Sequence, residues 1–187
     1  MVIKYSLEEN DYILHQLYHS SKSSVAIKQR RNSYIFVSSI GVFFGLLSYF
    51  KDNNIQATIV FIGFTIVCVL GYPILEKVRY KSHFKKHVKE NYKNTFGKPV
   101  EIEFSEGFIR TTESESESKI STNEISEINE IEKIIMIKLG SGQTLIIPKD
   151  KIIEIENLIS RLKELASDLN IKYNFEPGWQ WKINYWA

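Results

Sequence analysis

Residues 34–50 read YIFVSSIGVFFGLLSYF and residues 55–75 read IQATIVFIGFTIVCVLGYPIL, with only Lys51-Asp52-Asn53-Asn54 between them. Neither run contains an Asp, Glu, Lys or Arg. The hydrocarbon core of a bilayer is crossed by about 20 apolar residues in helix, within a range of roughly 17 to 25. The first run has 17 residues and the second 21. The pair therefore predicts two antiparallel transmembrane helices joined by a tight loop. A cleaved signal peptide does not fit, because the first run starts far from Met1 and a second follows at once.

Charge orients this hairpin. Lys22, Lys28, Arg30 and Arg31 precede the first run; Lys77, Arg79, Lys81, Lys85, Lys86, Lys89 and Lys93 follow the second. The connecting loop has Lys51 offset by Asp52. Lys and Arg close to span ends are retained on the cytoplasmic side, so both termini are expected in the cytoplasm. The whole-chain charge of +2 conceals a division. Residues 76–98 carry eight Lys and Arg against two Glu, net +6, whereas residues 99–187 carry ten basic against sixteen acidic residues, net −6. A basic stretch that abuts a membrane span fits anionic lipid headgroups, and Lys77, Arg79, Lys81, Lys85, Lys86 and Lys89 are the expected contacts. The acidic remainder argues against a nucleic-acid polymer as partner. The single Cys68 lies within the second run and permits no intramolecular disulfide.

Outward from the hairpin, the chain divides into four stretches. Residues 1–33 form an amphipathic cytoplasmic segment, with a short helix expected over Glu8–Tyr18, capped by Ser6 and broken by the serines at 20–24. Residues 34–75 are the hairpin. Residues 76–98 form a basic juxtamembrane helix ended by Gly97-Lys98-Pro99. Residues 99–187 form a cytoplasmic β-rich domain. Val100, Ile102 and Phe104 alternate with Glu101 and Glu103, which is the period of a half-buried strand. Ser105-Glu106-Gly107 turns the chain, and Glu113–Ser118 is polar enough for a loop or an edge strand. Residues 120–131 stay ambiguous between helix and strand. Ile134–Leu139, Gly140-Ser141-Gly142 and Gln143–Ile147 read as a β-hairpin. Asp150 opens a long amphipathic helix, residues 150–170, with Ile155, Leu158, Ile159, Leu162, Leu165, Ala166 and Leu169 on one stripe. Pro177-Gly178 then turns into an aromatic tail, where alternation predicts a last strand over 179–183. Its tryptophans can pack on the core, anchor in the headgroup zone, or stack on a ligand.

These pieces together resemble the YcxB-like membrane proteins of bacteria. The resemblance rests on Glu8-Glu9-Asn10-Asp11-Tyr12 and Gln16-Leu17-Tyr18, on the closely spaced hairpin, on Glu103-Phe104-Ser105-Glu106-Gly107-Phe108, on residues 120–130, and on Leu145-Ile146-Ile147-Pro148-Lys149. The chain departs from the family at Thr122, where members often carry an aromatic residue. The resemblance implies a membrane α+β protein of the bacterial inner membrane, with a pleckstrin-homology-like antiparallel β domain closed by a C-terminal helix. It implies no biochemical role.

No catalytic constellation stands out. His15 and His19, like His83 and His87, have a spacing that puts both rings on one helix face, but the HExxH pattern of zinc proteases is missing. Gly140-Ser141-Gly142 lacks the strand-to-helix setting of a phosphate loop. No catalytic residue, metal site or cofactor is therefore expected. Neither apolar run holds an ionisable group that would mark an ion path. Gly41-x-x-x-Gly45 is a close-packing face for the second run or for another copy of the chain, giving a homo-oligomer. Lys133, Lys138, Lys149 and Lys151, with Trp179 and Trp181, are the expected surface for a cytoplasmic protein or nucleotide ligand. The reading that follows is a non-enzymatic binding or sensing module held at the membrane. Two alternatives stay open: a membrane-perturbing effector of antiphage defence gated by a nucleotide second messenger, and an immunity protein that neutralises a toxin.

Overall fold

A computed structural model describes the chain except for residues 52, 53, 114, 115, 184, 186 and 187. Asp52 and Asn53 of the expected hairpin loop, two residues of the 113–118 stretch and Trp186 of the tail thus lie outside the described residues. Strand β1, Val2–Ser6, opens the chain and helix α1 covers Glu9–Lys22. Two long helices follow, α2 over Ser24–Phe50 and α3 over Ile55–Tyr92. The rest is β2 Pro99–Ser105, β3 Phe108–Glu113, β4 Ser116–Ser121, β5 Ile125–Ile131, β6 Ile134–Leu139, β7 Thr144–Pro148, α4 Ile155–Asp168 and β8 Lys172–Glu176. An N-terminal region with two apolar helices therefore precedes two largely antiparallel sheets, as the sequence predicts.

The elements fall into two compact units: Met1–His15 with Lys85–Gln180, and Gln16–Phe84 with Trp181–Ala187. This division differs from the sequence boundaries at both ends. The alternation Val2-Ile3-Lys4-Tyr5 forms an edge strand that pairs antiparallel with β2, Ile3 opposite Ile102 and Tyr5 opposite Val100. Ile3 and Tyr5 are buried, so residues 1–6 belong to the β unit and Ser6 ends a strand rather than capping a helix. At the other end, residues from Trp181 onward belong with the helices.

In the β unit, one sheet has the order β1-β2-β3-β4 and the other β7-β6-β5-β8. The inward residues Ile102, Phe104 and Ile109 of the first sheet, and Ile128, Ile134, Ile137 and Ile147 of the second, are buried. The two sheets are tied directly, because the Tyr5 hydroxyl donates to the Ile146 carbonyl at 2.8 Å. The ambiguous 120–131 segment is a short 3-10 turn, Thr122–Glu124, followed by β5. A register irregularity between Ile125 and Glu127 lets Ile125 and Ile128 face one side, while Ile128 and Ile131 face opposite sides of a stretch buried on both faces. The Glu106-Gly107 turn requires a left-handed φ of +78° at Gly107, a conformation glycine adopts without steric cost. The stem of the unit is aromatic: Tyr12 stacks on Tyr92 at 4.5 Å, and the Gly97 amide donates to the Leu7 carbonyl at 2.9 Å.

Helix α4 starts later than expected. Asp150 sits in a 3-10 turn over Lys149–Lys151, and extended backbone at Ile152 places that side chain in the core before the helix begins. Four residues of the stripe, Leu158, Ile159, Leu162 and Ala166, are buried, whereas Ile155, Leu165 and Leu169 are half-buried; Arg161 Nη2 donates to the Phe104 carbonyl at 3.3 Å. The last strand is also displaced from its expected position. Asn170, at φ 53°, turns the chain out of α4, so Lys172–Glu176 pairs parallel with β5, whereas 179–183 is not strand.

In the helical unit, the Ser23 side chain caps α2 by accepting from the Ala26 amide at 3.3 Å. The basic 76–92 stretch continues α3 without a break. Both helices are long and apolar enough to cross a membrane. Gly41 and Gly45 are buried. A Cβ on Gly41 would lie 1.9 Å from Thr65 Oγ1, and one on Gly45 would lie 3.7 Å from Phe61 and Ile62. The small-residue face of α2 is thus occupied by α3 of the same chain.

Three expectations follow. Gly41→Val should destabilise the hairpin by about 1–3 kcal/mol through overpacking, whereas Gly45→Ala should be nearly neutral; thermal unfolding in detergent compares them. A fragment of residues 99–180 lacks β1 and bares the edge of β2, so it should self-associate on gel filtration, and joining Met1–Leu7 to it through a flexible linker should restore a monomer. In the sheet core, Glu130 is 2% exposed, with Lys149 Nζ at 2.6 Å and the Tyr173 hydroxyl at 2.5 Å. Lys149→Met strands that carboxylate and should cost about 3–5 kcal/mol in urea unfolding; adding Glu130→Gln should recover part of the loss.

Candidate functional site

The four lysines expected to form a ligand surface do not converge on one basic pocket. Lys149 is held by Glu130, and its Nζ also lies 3.5 Å from the Ile131 carbonyl. Burial, then Glu130 as hydrogen-bond partner and charge, push the Tyr173 phenol well above its usual range. Lys138 pairs across strands with Glu127 at 3.0 Å. Lys151 donates to the Ser6 carbonyl at 2.9 Å and to Glu8 at 2.8 Å. Its nitrogen is 4.0 Å from Asp11, whose carboxyl is raised chiefly by burial. Lys133 is exposed on the turn between β5 and β6. These cations mostly close the fold: Lys149 locks β5 to the turn after β7, and Lys151 locks that turn to the start of α1.

The basic residues of α3 are where the sequence places them. Lys77, Arg79, Lys81, Lys85, Lys86 and Lys89 are all exposed. Lys86 is 3.8 Å from Glu90 and Lys89 is 3.8 Å from Glu9, spacings at which exposed pairs contribute little. Most of this positive charge is therefore available to an anionic surface.

The tryptophans separate. Trp179 follows the turn after β8, its amide donating to the Glu176 carbonyl at 3.0 Å. Trp181 belongs to the helical unit and lies 6.1 Å from the Tyr80 ring. Tyr185 follows it there, stacked on Tyr34 at 4.8 Å, with its hydroxyl donating to Glu76 Oε2 at 2.7 Å. Burial and the Glu76 carboxylate push that phenol upward. The tail therefore packs on helix ends.

Beside these aromatic residues the helices enclose a site that sequence reasoning missed. An open cavity of about 730 Å³ is lined by Arg30, Asn32, Glu76, Arg79, Tyr80 and His83, among others. Arg30 is 1% exposed. Its Nη2 donates to the Ser20 carbonyl and hydroxyl, at 2.5 and 2.7 Å, and its guanidinium lies 4.9 Å from the Tyr80 ring centroid. Nε and Nη1 of Arg30 are buried without a hydrogen-bond partner, as is Nε1 of Trp181. In the sequence Arg30 is one of several cations ahead of the first apolar run, and nothing in its neighbours marks it as inward-facing. Among the described residues, no group of three His, Cys, Asp or Glu side chains converges as a metal site would need.

No curated protein and no solved structure matches the chain. The sequence model of one family does, and its match begins at the end of β2, runs through β3 to β7 and ends inside α4, leaving out β1, both long helices and β8. Over residues 104–166 this chain matches the YcxB-like proteins, the family that its strand and hairpin motifs resemble.

Proposed function

We propose that the protein is a multi-pass inner-membrane protein in which α2 and α3 cross the bilayer as a hairpin and both termini are cytoplasmic. The β unit then serves as a non-enzymatic, pleckstrin-homology-like binding or sensing module. The observation that carries this reading is the uncovered apolar surface of the helices. Across the apolar run of α3, residues 55–75, only Thr65 is buried by protein, and in the most apolar window of α2 only 17% of residues are. Phe36, Phe50, Val60, Phe64, Val67 and Leu70 face outward. A soluble protein rarely leaves so contiguous an apolar surface in water, whereas lipid covers it without cost. The orientation follows from the exposed cations at 77–89, which anionic headgroups attract by about 1 kcal/mol each near the surface.

Two four-stranded sheets closed by α4 support the pleckstrin-homology-like reading, with the parallel β8 as an addition. The effector reading, in which hairpins oligomerise on a nucleotide signal, gains no specific support. The Gly41–Gly45 face is filled within the hairpin, and three of the four lysines expected for a phosphate-rich ligand are held by carboxylates. The immunity reading likewise has no dedicated observation.

Cysteine labelling tests the topology. In a Cys68→Ala background, an impermeant maleimide should modify Lys51→Cys on intact cells, and Ser118→Cys only after permeabilisation. Modification of Ser118→Cys on intact cells would overturn the cytoplasmic placement. Protection of Lys51→Cys until permeabilisation would overturn the hairpin.

A further inference from the structure

We propose that the cavity around Arg30 binds a phosphodiester anion. Its first support is the buried guanidinium: Arg30 is 1% exposed, Ser20 satisfies only Nη2, and Nε and Nη1 have no acceptor. A buried cation ordinarily has a carboxylate partner or gains an anion. No described carboxylate pairs with Arg30; Glu76 shares the cavity, but its Oε2 accepts from the Tyr185 hydroxyl.

Charge count selects the ligand class. Arg30 and Arg79 contribute two positive charges to the cavity wall and Glu76 one negative. The net of one positive charge suits one negative charge. A phosphodiester carries one, while a phosphomonoester carries nearer two at neutral pH and would meet Glu76. Guanidinium is the side chain best matched to phosphate oxygens. The Tyr80 ring, between Arg30 and Trp181, supplies an apolar wall beside the charge.

Position suggests where the phosphodiester comes from. Asn32 immediately precedes the first apolar run, and Glu76 immediately follows the second. The lining residues therefore lie at the polar ends of both runs, with Tyr34, Tyr185 and Trp181 forming the aromatic girdle found at headgroup depth. This part of the inference rests on the membrane-spanning reading: a spanning hairpin puts the cavity level with phospholipid headgroups. A soluble phosphodiester, such as a cyclic nucleotide, presents the same chemistry from the cytoplasm.

The test uses the full-length protein in detergent, with native mass spectrometry during titration with phosphatidylglycerol and, separately, calorimetry with cyclic di-AMP, one of whose two singly charged phosphodiesters would enter the cavity. The wild type should hold one phosphatidylglycerol, with occupancy at least tenfold lower in Arg30→Gln and partly restored in Arg30→Lys. Arg30 also bonds Ser20, so Arg30→Gln can fail to fold. Exposed Arg79→Gln provides the second variant and should weaken the same adduct several-fold with circular dichroism unchanged. Arginine-dependent binding of cyclic di-AMP alone would keep the phosphodiester site and assign it a soluble source. Equal lipid occupancy in wild type, Arg30→Lys and Arg79→Gln, with no arginine-dependent binding of cyclic di-AMP, would overturn the proposal. A failure of the spanning reading would appear separately in the cysteine labelling and would leave the soluble arm intact.

Discussion

The ladder between β1 and β2 is the constraint on which the remaining architecture depends. It joins Val2 to Glu103 and Ser6 to Pro99, so the chain must leave the sheet after Ser6, build α1, α2 and α3, and come back to the neighbouring position. The closure entropy of such a detour grows only logarithmically with its length, and local helix formation shortens the effective loop further. The Tyr12–Tyr92 stack and the Leu7–Gly97 hydrogen bond pin the detour where it leaves and re-enters the sheet. The helical hairpin is in this sense an insertion between the first two strands of a β domain.

The polar groups buried in each unit differ in kind. Glu130 is fully answered, by Lys149 on one oxygen and Tyr173 on the other, and it holds β5, β8 and the turn after β7 in one register. Such a network specifies an arrangement more than it stabilises it, because both charges are desolvated on folding. Arg30 is answered only in part. A satisfied network reads as architecture, and an unsatisfied one beside an open cavity reads as a place for something else.

Legibility in the sequence followed the range of the interaction. The apolar runs, the β-hairpin at 134–148 and the stripe of α4 are periodic patterns set by neighbours within a few residues, and they appear in the structure close to where they were read. β1 is not read from the sequence: Val2-Ile3-Lys4-Tyr5 is short, and the partner that makes it a strand is about 95 residues away in sequence. The spacing of Ile125, Ile128 and Ile131 imitates a helix because a bulge near Ile125 is followed by strand that is buried on both faces, and both depend on pairing with distant segments. Asp150 resembled a helix cap, yet Ile152 is drawn into the core first. Of the site, the exposed cations at 77–89 were readable from charge alone. The inward turn of Arg30 and the return of Trp181 and Tyr185 to the helices were not, since both depend on contacts between distant segments.

The same ladder also imposes a parity on the chain. Two strands that exchange backbone hydrogen bonds must occupy one aqueous compartment, so whatever lies between Ser6 and Pro99 can enter a bilayer only an even number of times. If α2 and α3 span the bilayer as proposed, a single crossing, or the loss of one helix, would leave β1 and β2 on opposite faces of the membrane and the first sheet without its outer strand. The order of synthesis adds a delay. β1 leaves the ribosome first and waits, unpaired, for roughly 5 to 20 seconds at ordinary elongation rates until β2 follows. On the proposed spanning reading, correct insertion of the hairpin is a precondition for completing the sheet, so a folded β domain would report that both crossings had been made.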